Sequence, residues 1–265
     1  MIGDKLHIIV CVKQTPSAAT PVAGAPAPMA INPFDEYALE EGVRLKEKAG
    51  GSAVVTAVSM GAAGAVETLR DAIARGADDA VLLSSPDFEG GDSAGTAYAL
   101  GLAVSKLSKE RGPVDLILFG KQTNDSGSAQ VGPQTAAALG MPDVAFVKKI
   151  PALGGGKVTV ERMMEDGNDA LEMDLPAVVC VVKEINEPRI ASLKGKMASK
   201  KAVIPTWGSA ELGADKTRLG KAAARMTYGT PYSPPKRSAG MVITGATPQE
   251  KAKNLLAQLK ERKLI

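Results

Sequence analysis

Apolar residues fall in short unbroken runs, and longer amphipathic stretches separate them. Leu6 to Val12 is almost continuously apolar, as expected of a strand covered on both faces. Ala53 to Ser59, Ala80 to Leu83 and Val114 to Phe119 repeat the pattern. Between these runs the period is helical. Asp35 to Lys48 puts Leu39, Val43 and the stem of Lys46 on one face, with Glu40, Glu41, Arg44 and Glu47 around the other. Gly50-Gly51 closes it. Ala65 to Ala74 forms a second helix, ended at Gly76. Ser93 to Lys109 forms a third, with Leu100, Val104 and Leu107 on one stripe beside Tyr98, Leu102, Ser105 and Lys109. This alternation predicts an α/β fold: a Rossmann-like parallel sheet with helices on both faces. Ligands of such sheets sit beyond the carboxyl ends of the strands. The exits at Cys11–Lys13, Met60-Gly61 and Gly120 are all of this kind.

Thr15 to Pro28 is rich in Ala and Pro and is expected to be a long loop. After Gly140 the texture shifts. Lys157 to Met163 and Ala170 to Leu175, with glycine-rich and acidic turns between segments, predict antiparallel hairpins. Ala177 to Val182 is one more buried strand. Past Glu184 the alternation stops, and Met197 to Lys201 and Pro231 to Arg237 are basic or Pro-rich with few apolar residues. Such a segment has little core of its own. The expected organisation is an α/β domain over residues 1–184 and an extended C-terminal arm over 185–265. Thr247-Pro248-Gln249-Glu250 has the form of a capping box with Pro at the first helical position, which predicts a terminal helix from Pro248 to Arg262. Its stripe of Leu255, Leu256 and Leu259 needs a surface, from this chain or a partner.

The stretch from Leu116 to Gly140 carries the most chemical information. An apolar strand ends at Gly120, a loop of small polar residues follows, and Gln130-Val131-Gly132-Pro133 opens a helix-forming run. The first N–H groups of a helix lack intrahelical acceptors, and the macrodipole adds roughly half a positive charge there. Small residues admit a phosphate close to the backbone. Pro133 suits a first helical turn. The same pattern also fits an ordinary strand-to-helix turn.

Composition narrows the alternatives. The chain has 265 residues, 45% apolar and 23% charged, with a net charge of +3. That describes an ordinary globular protein and does not point to a nucleic-acid partner. No apolar stretch approaches the roughly 18 residues that span a bilayer. The N-terminus makes a poor signal peptide, and the expected location is the cytoplasm. Cys11 and Cys180 each lie in a strand-like run, so both are expected to be buried thiols. His7 is the one histidine, and its place at the head of the first strand reads as structural. No Ser-His-Asp or Cys-His arrangement and no His/Cys cluster with metal-ligand spacing is available. No catalytic residue is evident, and the chemistry is expected to belong to a bound cofactor.

Three segments, Asn32 to Lys48, Gly120 to Gln134 and Leu175 to Met197, together resemble the β subunit of electron transfer flavoprotein, in order, from about Val10 to Met197. The resemblance implies a heterodimer with an FAD-bearing α subunit. It implies acyl-CoA-type dehydrogenases of fatty acid β-oxidation as donors and a membrane quinone reductase as acceptor. It also implies AMP in this subunit. Cys11 and Val12 would line the adenine; Asn32, Pro33, Phe34 and Asp35 would contact the adenosine; Met60 would close one side. Asp125, Ser126, Gly127, Ser128 and Ala129 would surround ribose and phosphate. Gln130, Val131, Gly132, Pro133, Gln134 and Thr135 would supply the helix start. Leu193, after Asn186-Glu187-Pro188-Arg189, would anchor partner dehydrogenases. Thr15 to Ala18 carries no aromatic where many relatives have one near the flavin. The Ser126-to-Pro133 loop is also similar to relatives that bind a second FAD here and bifurcate electrons. A stand-alone adenine-nucleotide-binding regulator is the alternative from another class.

Overall fold

The computed structural model describes residues 5–17, 27–226, 229 and 240–265. They divide into two units, one running to Met226 and one beyond it. The first unit opens with β1 (Leu6–Cys11), then a short antiparallel pair, β2 (Gln14–Pro16) and β3 (Met29–Ile31). Helix α1 (Pro33–Lys48), β4 (Ala53–Met60), α2 (Val66–Ala74), β5 (Asp79–Leu83), α3 (Ser93–Arg111), β6 (Leu116–Gly120) and α4 (Val131–Leu139) follow. Next come β7 (Asp143–Gly154), β8 (Lys157–Met163), β9 (Asn168–Asp174), β10 (Ala177–Val181), α5 (Leu193–Lys201), β11 (Thr206–Trp207) and α6 (Gly220–Ala223).

Among the described residues the main sheet has nine strands in the order β11-β5-β4-β1-β6-β10-β7-β8-β9. From β11 to β7 every neighbouring pair is parallel; β8 and β9 extend the sheet antiparallel. The apolar runs are continuous because both sheet faces are covered. Ile8 and Val10 of β1 enter a core with Leu39, Val43 and Leu69 from α1 and α2. Ile9 and Cys11 enter the opposite core with Leu100, Val104 and Leu107 from α3. His7 is buried in its strand, with Nε2 3.0 Å from Thr56 Oγ1, and burial lowers its pKa.

The chain leaves β1 for β4 and β5 on one side, then returns to β6 on the other. The two connections diverge between β1 and β6, the switch point at which sheets of this class hold a ligand crevice at their carboxyl ends.

The α/β class, the parallel sheet and the hairpins agree with the sequence. Two boundaries differ. Thr15 and Pro16, at the head of the expected loop from Thr15 to Pro28, belong to β2 and pair with β3 just past its end, while positions 18–26 lie outside the described residues. Backbone pairing needs no apolar alternation, so an Ala/Pro-rich segment does not announce it. Likewise β7 begins at Asp143 and lies parallel to β10, which joins the hairpins to the main sheet. Pro231 to Arg237 also lies outside the described residues.

The segment after β10 is fixed to the helices of one face. Arg189 donates to Glu40 Oε2 at 2.7 Å and to Glu47 Oε1 at 2.6 Å, and Asn186 Nδ2 donates to Glu41 Oε2 at 3.0 Å. Arg70 of α2 donates to the carbonyl of Ser199 at 2.6 Å, at the end of α5. Helix α5 packs so closely on α2 that a Cβ on Gly195 would run into the carbonyl of Ala74. In the second unit, α7 (Pro248–Glu261) is capped by Thr247 Oγ1, which accepts from Glu250 N at 3.2 Å. Glu250 Oε2 reaches back to Ala246 N at 2.8 Å. No described residue of α7 is buried.

Gly195→Ala should lift α5 from α2 at a cost of about 1–3 kcal/mol. Thermal melting should fall, with faster hydrogen exchange confined to residues 193–201. A variant with the parental melt and exchange pattern would show that α5 does not depend on that contact.

Candidate functional site at the β1–β6 crevice

The crevice is built from four chain segments. Helix α1 starts at Pro33, with Asp35 and Glu36 in its first turn and Lys46 and Lys48 in its last, matching its dipole. Asn32 stands at its cap position but does not cap it. Its fully buried amide bridges to the loop after β6 instead: Nδ2 donates to Gln122 O at 2.8 Å and Oδ1 accepts from Asn124 N at 3.0 Å. Asp35 is buried between the strand exits. It accepts from Lys13 N at 2.8 Å and also from the N–H of Gly120. Burial pushes its carboxyl up to about 7 against the pull of those donors.

Two glycines make these approaches possible. A Cβ on Gly120 would stand 2.5 Å from Asp35 Oδ1 and from the Phe34 carbonyl carbon. A Cβ on Gly132 would run into Cys180 Sγ. The loop itself turns through left-handed Gly127 (φ 64°) and Ala129 (φ 55°), the latter followed by right-handed Gln130. Such a succession presents adjacent N–H groups to one side. Helix α4 then begins at Val131 with no side-chain cap. The N–H groups of Val131 and Gly132 therefore lack an intrahelical acceptor.

Cys11 and Val12 lie at the β1 exit, both buried. The Cys11 thiol belongs to the core under α3, and burial, then the nearby Asp35 carboxyl, pushes it well above the thiol range. Burial likewise pushes Cys180 up to about 12. Both cysteines are free. Pro33 and Phe34 start α1. Met60 ends β4, one strand from β1, and packs on the second core. Asp125, Ser126, Gly127 and Ser128 are exposed loop residues, Ala129 is half-buried, and Gln130 precedes α4. In α4 the Thr135 hydroxyl donates to Val131 O at 2.7 Å. Leu193 sits apart, 78% exposed at the start of α5, beside Ile190 at 91%.

Several residues at the crevice carry no sequence signal. Lys13, one position beyond the β1 exit at Val12, sends its ammonium to Asp125 Oδ2 at 2.6 Å. Burial raises Asp125, but hydrogen bonds from Lys13 and Thr123 more than offset it, and its pKa is lowered. Gln122 and Asn124 are recruited by Asn32. A lysine after a strand or an asparagine in a loop is too common to be singled out.

The donor set suits an anionic ligand with a hydrogen-bonding base. Uncapped N–H groups at a helix start can receive an anion, and small residues allow a close approach. Thr15 Oγ1 on β2, Ser59 Oγ near the end of β4 and Gln134 Oε1 in α4 are buried without a hydrogen-bond partner among the described residues. All three belong to elements at the carboxyl-end rim. No group of three or more His, Cys, Asp or Glu among the described residues is placed to hold a metal. No helix among them is long and apolar enough to cross a membrane.

Comparison with known proteins places the same segments in a family. The profile of the electron transfer flavoprotein domain matches residues 22–212. The chain is 38% identical to the electron transfer flavoprotein subunit beta of Megasphaera elsdenii, over 93% of this chain and 94% of that one. It is 36% identical to the caffeyl-CoA reductase-Etf complex subunit CarD of Acetobacterium woodii, over 98% of this chain and 100% of that one. It is 35% identical to protein FixA of Bradyrhizobium diazoefficiens, over 88% of this chain and 84% of that one.

Asp35 makes stability depend on pH with a defined sign. Its carboxyl is raised to about 7 in the fold, against about 3.9 in an unfolded chain. The folded state thus holds a proton the unfolded state has lost, and this contribution falls as pH rises from about 4 through about 7. The stability difference between the parent and Asp35→Asn, measured by urea denaturation across that range, should shrink or reverse with rising pH. A difference independent of pH would mean that Asp35 ionises normally.

Proposed function

The chain belongs to the electron transfer flavoprotein family, and we propose that it is a β subunit that holds AMP at the β1–β6 crevice and works as a heterodimer with an FAD-bearing α subunit. The observation that carries the nucleotide assignment is the uncapped start of α4 beside a loop stitched to both α1 and β1. In this reading the N–H groups of Val131 and Gly132 hold the phosphate, and Asn124 to Ala129 border the ribose. Pro33 and Phe34 form the adenosine wall, with Cys11, Val12 and Met60 around the base. Asn32 and Asp35 hold the walls in place. AMP supplies no redox chemistry; it fills and fixes the crevice. The FAD of the α subunit accepts the electrons, and the exposed Leu193 anchors acyl-CoA-type dehydrogenases that donate them. A membrane quinone reductase is the acceptor in this proposal, and the cytoplasm is the compartment. The exposed leucines of α7, Leu255 and Leu256, supply an apolar stripe for the partner chain.

A second FAD in the same crevice is the competing occupancy. What favours it is the exposure of Asn124 to Ser128 together with the small side chains at Gly127 and Ser128, which leave room for a longer ligand.

Nucleotides released on denaturing the purified heterodimer should be one FAD and one AMP. Two FAD and no AMP would replace the first reading by the second. Leu193→Ala should lower kcat/KM for electron transfer from an acyl-CoA dehydrogenase about 30-fold, since a truncated anchor costs about 2 kcal/mol. Nucleotide content and melting should stay at the parental values. Unchanged kinetics with several donors would remove Leu193 from the interface.

A further inference from the structure

The crevice is crossed by an ion pair. Among the described residues, Lys13–Asp125 is the one salt bridge linking the β1 exit to the loop before α4. Lys13 is fixed at its backbone, while its tip, paired with Asp125, is partly open to solvent. Its N–H donates to buried Asp35 at 2.8 Å, and its carbonyl accepts from Asn32 N at 2.8 Å. Its side chain is 41% exposed and that of Asp125 is 32%. An ion pair this open contributes little to stability and is readily exchanged.

The charge pattern around the loop gives Lys13 its importance. A phosphate bound at the start of α4 would share the loop with the Asp125 carboxylate, a like charge. The other nearby cation, Lys121, lies over the ring of Phe146 on β7, 5.3 Å from its centroid. Lys121 N is itself tied to Val181 O at 2.8 Å, on the β10 side. Lys13 is the ammonium already placed against the loop. Its flexible stem and three donors let it serve a carboxylate and a phosphate in turn, and a phosphate, like the carboxylate, accepts charge-assisted bonds from it.

We propose that Lys13 is the phosphate-recognising cation of this crevice, held by Asp125 until a nucleotide 5′-phosphate takes it over. Asp125 acts as the internal competitor, and the pair selects a phosphorylated nucleoside over a bare one. This rests on the reading of the crevice as an adenine-nucleotide site.

The test uses the heterodimer, stripped of bound nucleotide and titrated calorimetrically with AMP and with adenosine. The readout is the ratio of the two affinities, which cancels any uniform effect on the site. Lys13→Met should lower the AMP preference at least tenfold, and Lys13→Arg should retain most of it. Asp125→Asn should raise it severalfold. An unchanged ratio in Lys13→Met, or a lowered one in Asp125→Asn, would overturn the assignment of Lys13 while the nucleotide site stood. A parent that binds neither AMP nor adenosine would overturn the nucleotide reading, and this proposal with it.

Discussion

The crevice depends on how closely the backbone approaches Gly120. The Phe34 carbonyl carbon and the Asp35 carboxylate occupy the space where any side chain at that position would begin. Because nothing stands there, the start of α1 packs directly on the end of β6. Asp35 then reaches the N–H groups of both Lys13 and Gly120. Three chain segments far apart in sequence are fixed by one buried carboxyl group. The raised pKa of Asp35 is the cost of that arrangement: burial disfavours its charge more than the N–H donors favour it.

Helix α1 carries the arrangement further. Its first turn shapes the crevice, and Glu40, Glu41 and Glu47 along its length hold Arg189 and Asn186. Glu40 is almost fully buried, whereas Glu47 is open to solvent. The Glu40 contact therefore matters more, since losing the partner of a buried charge costs far more than losing an exposed pair. The segment bearing Ile190 and Leu193 is rigidly mounted where it meets α1 and α2, and it presents its apolar side chains outward. The same helix supports the crevice and that exposed patch.

Much of this was legible in the sequence. The apolar runs at Leu6, Ala53, Ala80 and Val114 mark strands because both sheet faces are covered. The passage from Gly120 to Gly132 marks a strand-loop-helix turn because its residue types suit no regular element. The rest lies in tertiary contacts that leave no periodic trace. Lys13 looks like any lysine after a strand until Asp125 is placed against it. Gly132 looks like a flexible loop residue, yet the space its Cβ would need is taken by Cys180, whose strand is made much later in the chain. Trp207, Leu212 and Leu219 are buried singly, and single anchors have no period to read.

The strand order also fixes when during synthesis the crevice can form. Strand β10 lies between β6 and β7, so Leu116–Gly120 lacks its neighbour on that side until Ala177–Val181 has been made. Lys121, the first residue of the loop before α4, is tied to Val181, and Gly132 rests on Cys180. A nascent chain that has emerged only through α4 already contains the loop and most of the proposed ligand contacts, but not the strand that sets the loop's position. Long-range parallel pairing of this kind is slow and leaves an apolar edge exposed meanwhile. The loop before α4 can take its final position only after the distant strand has been inserted beside β6.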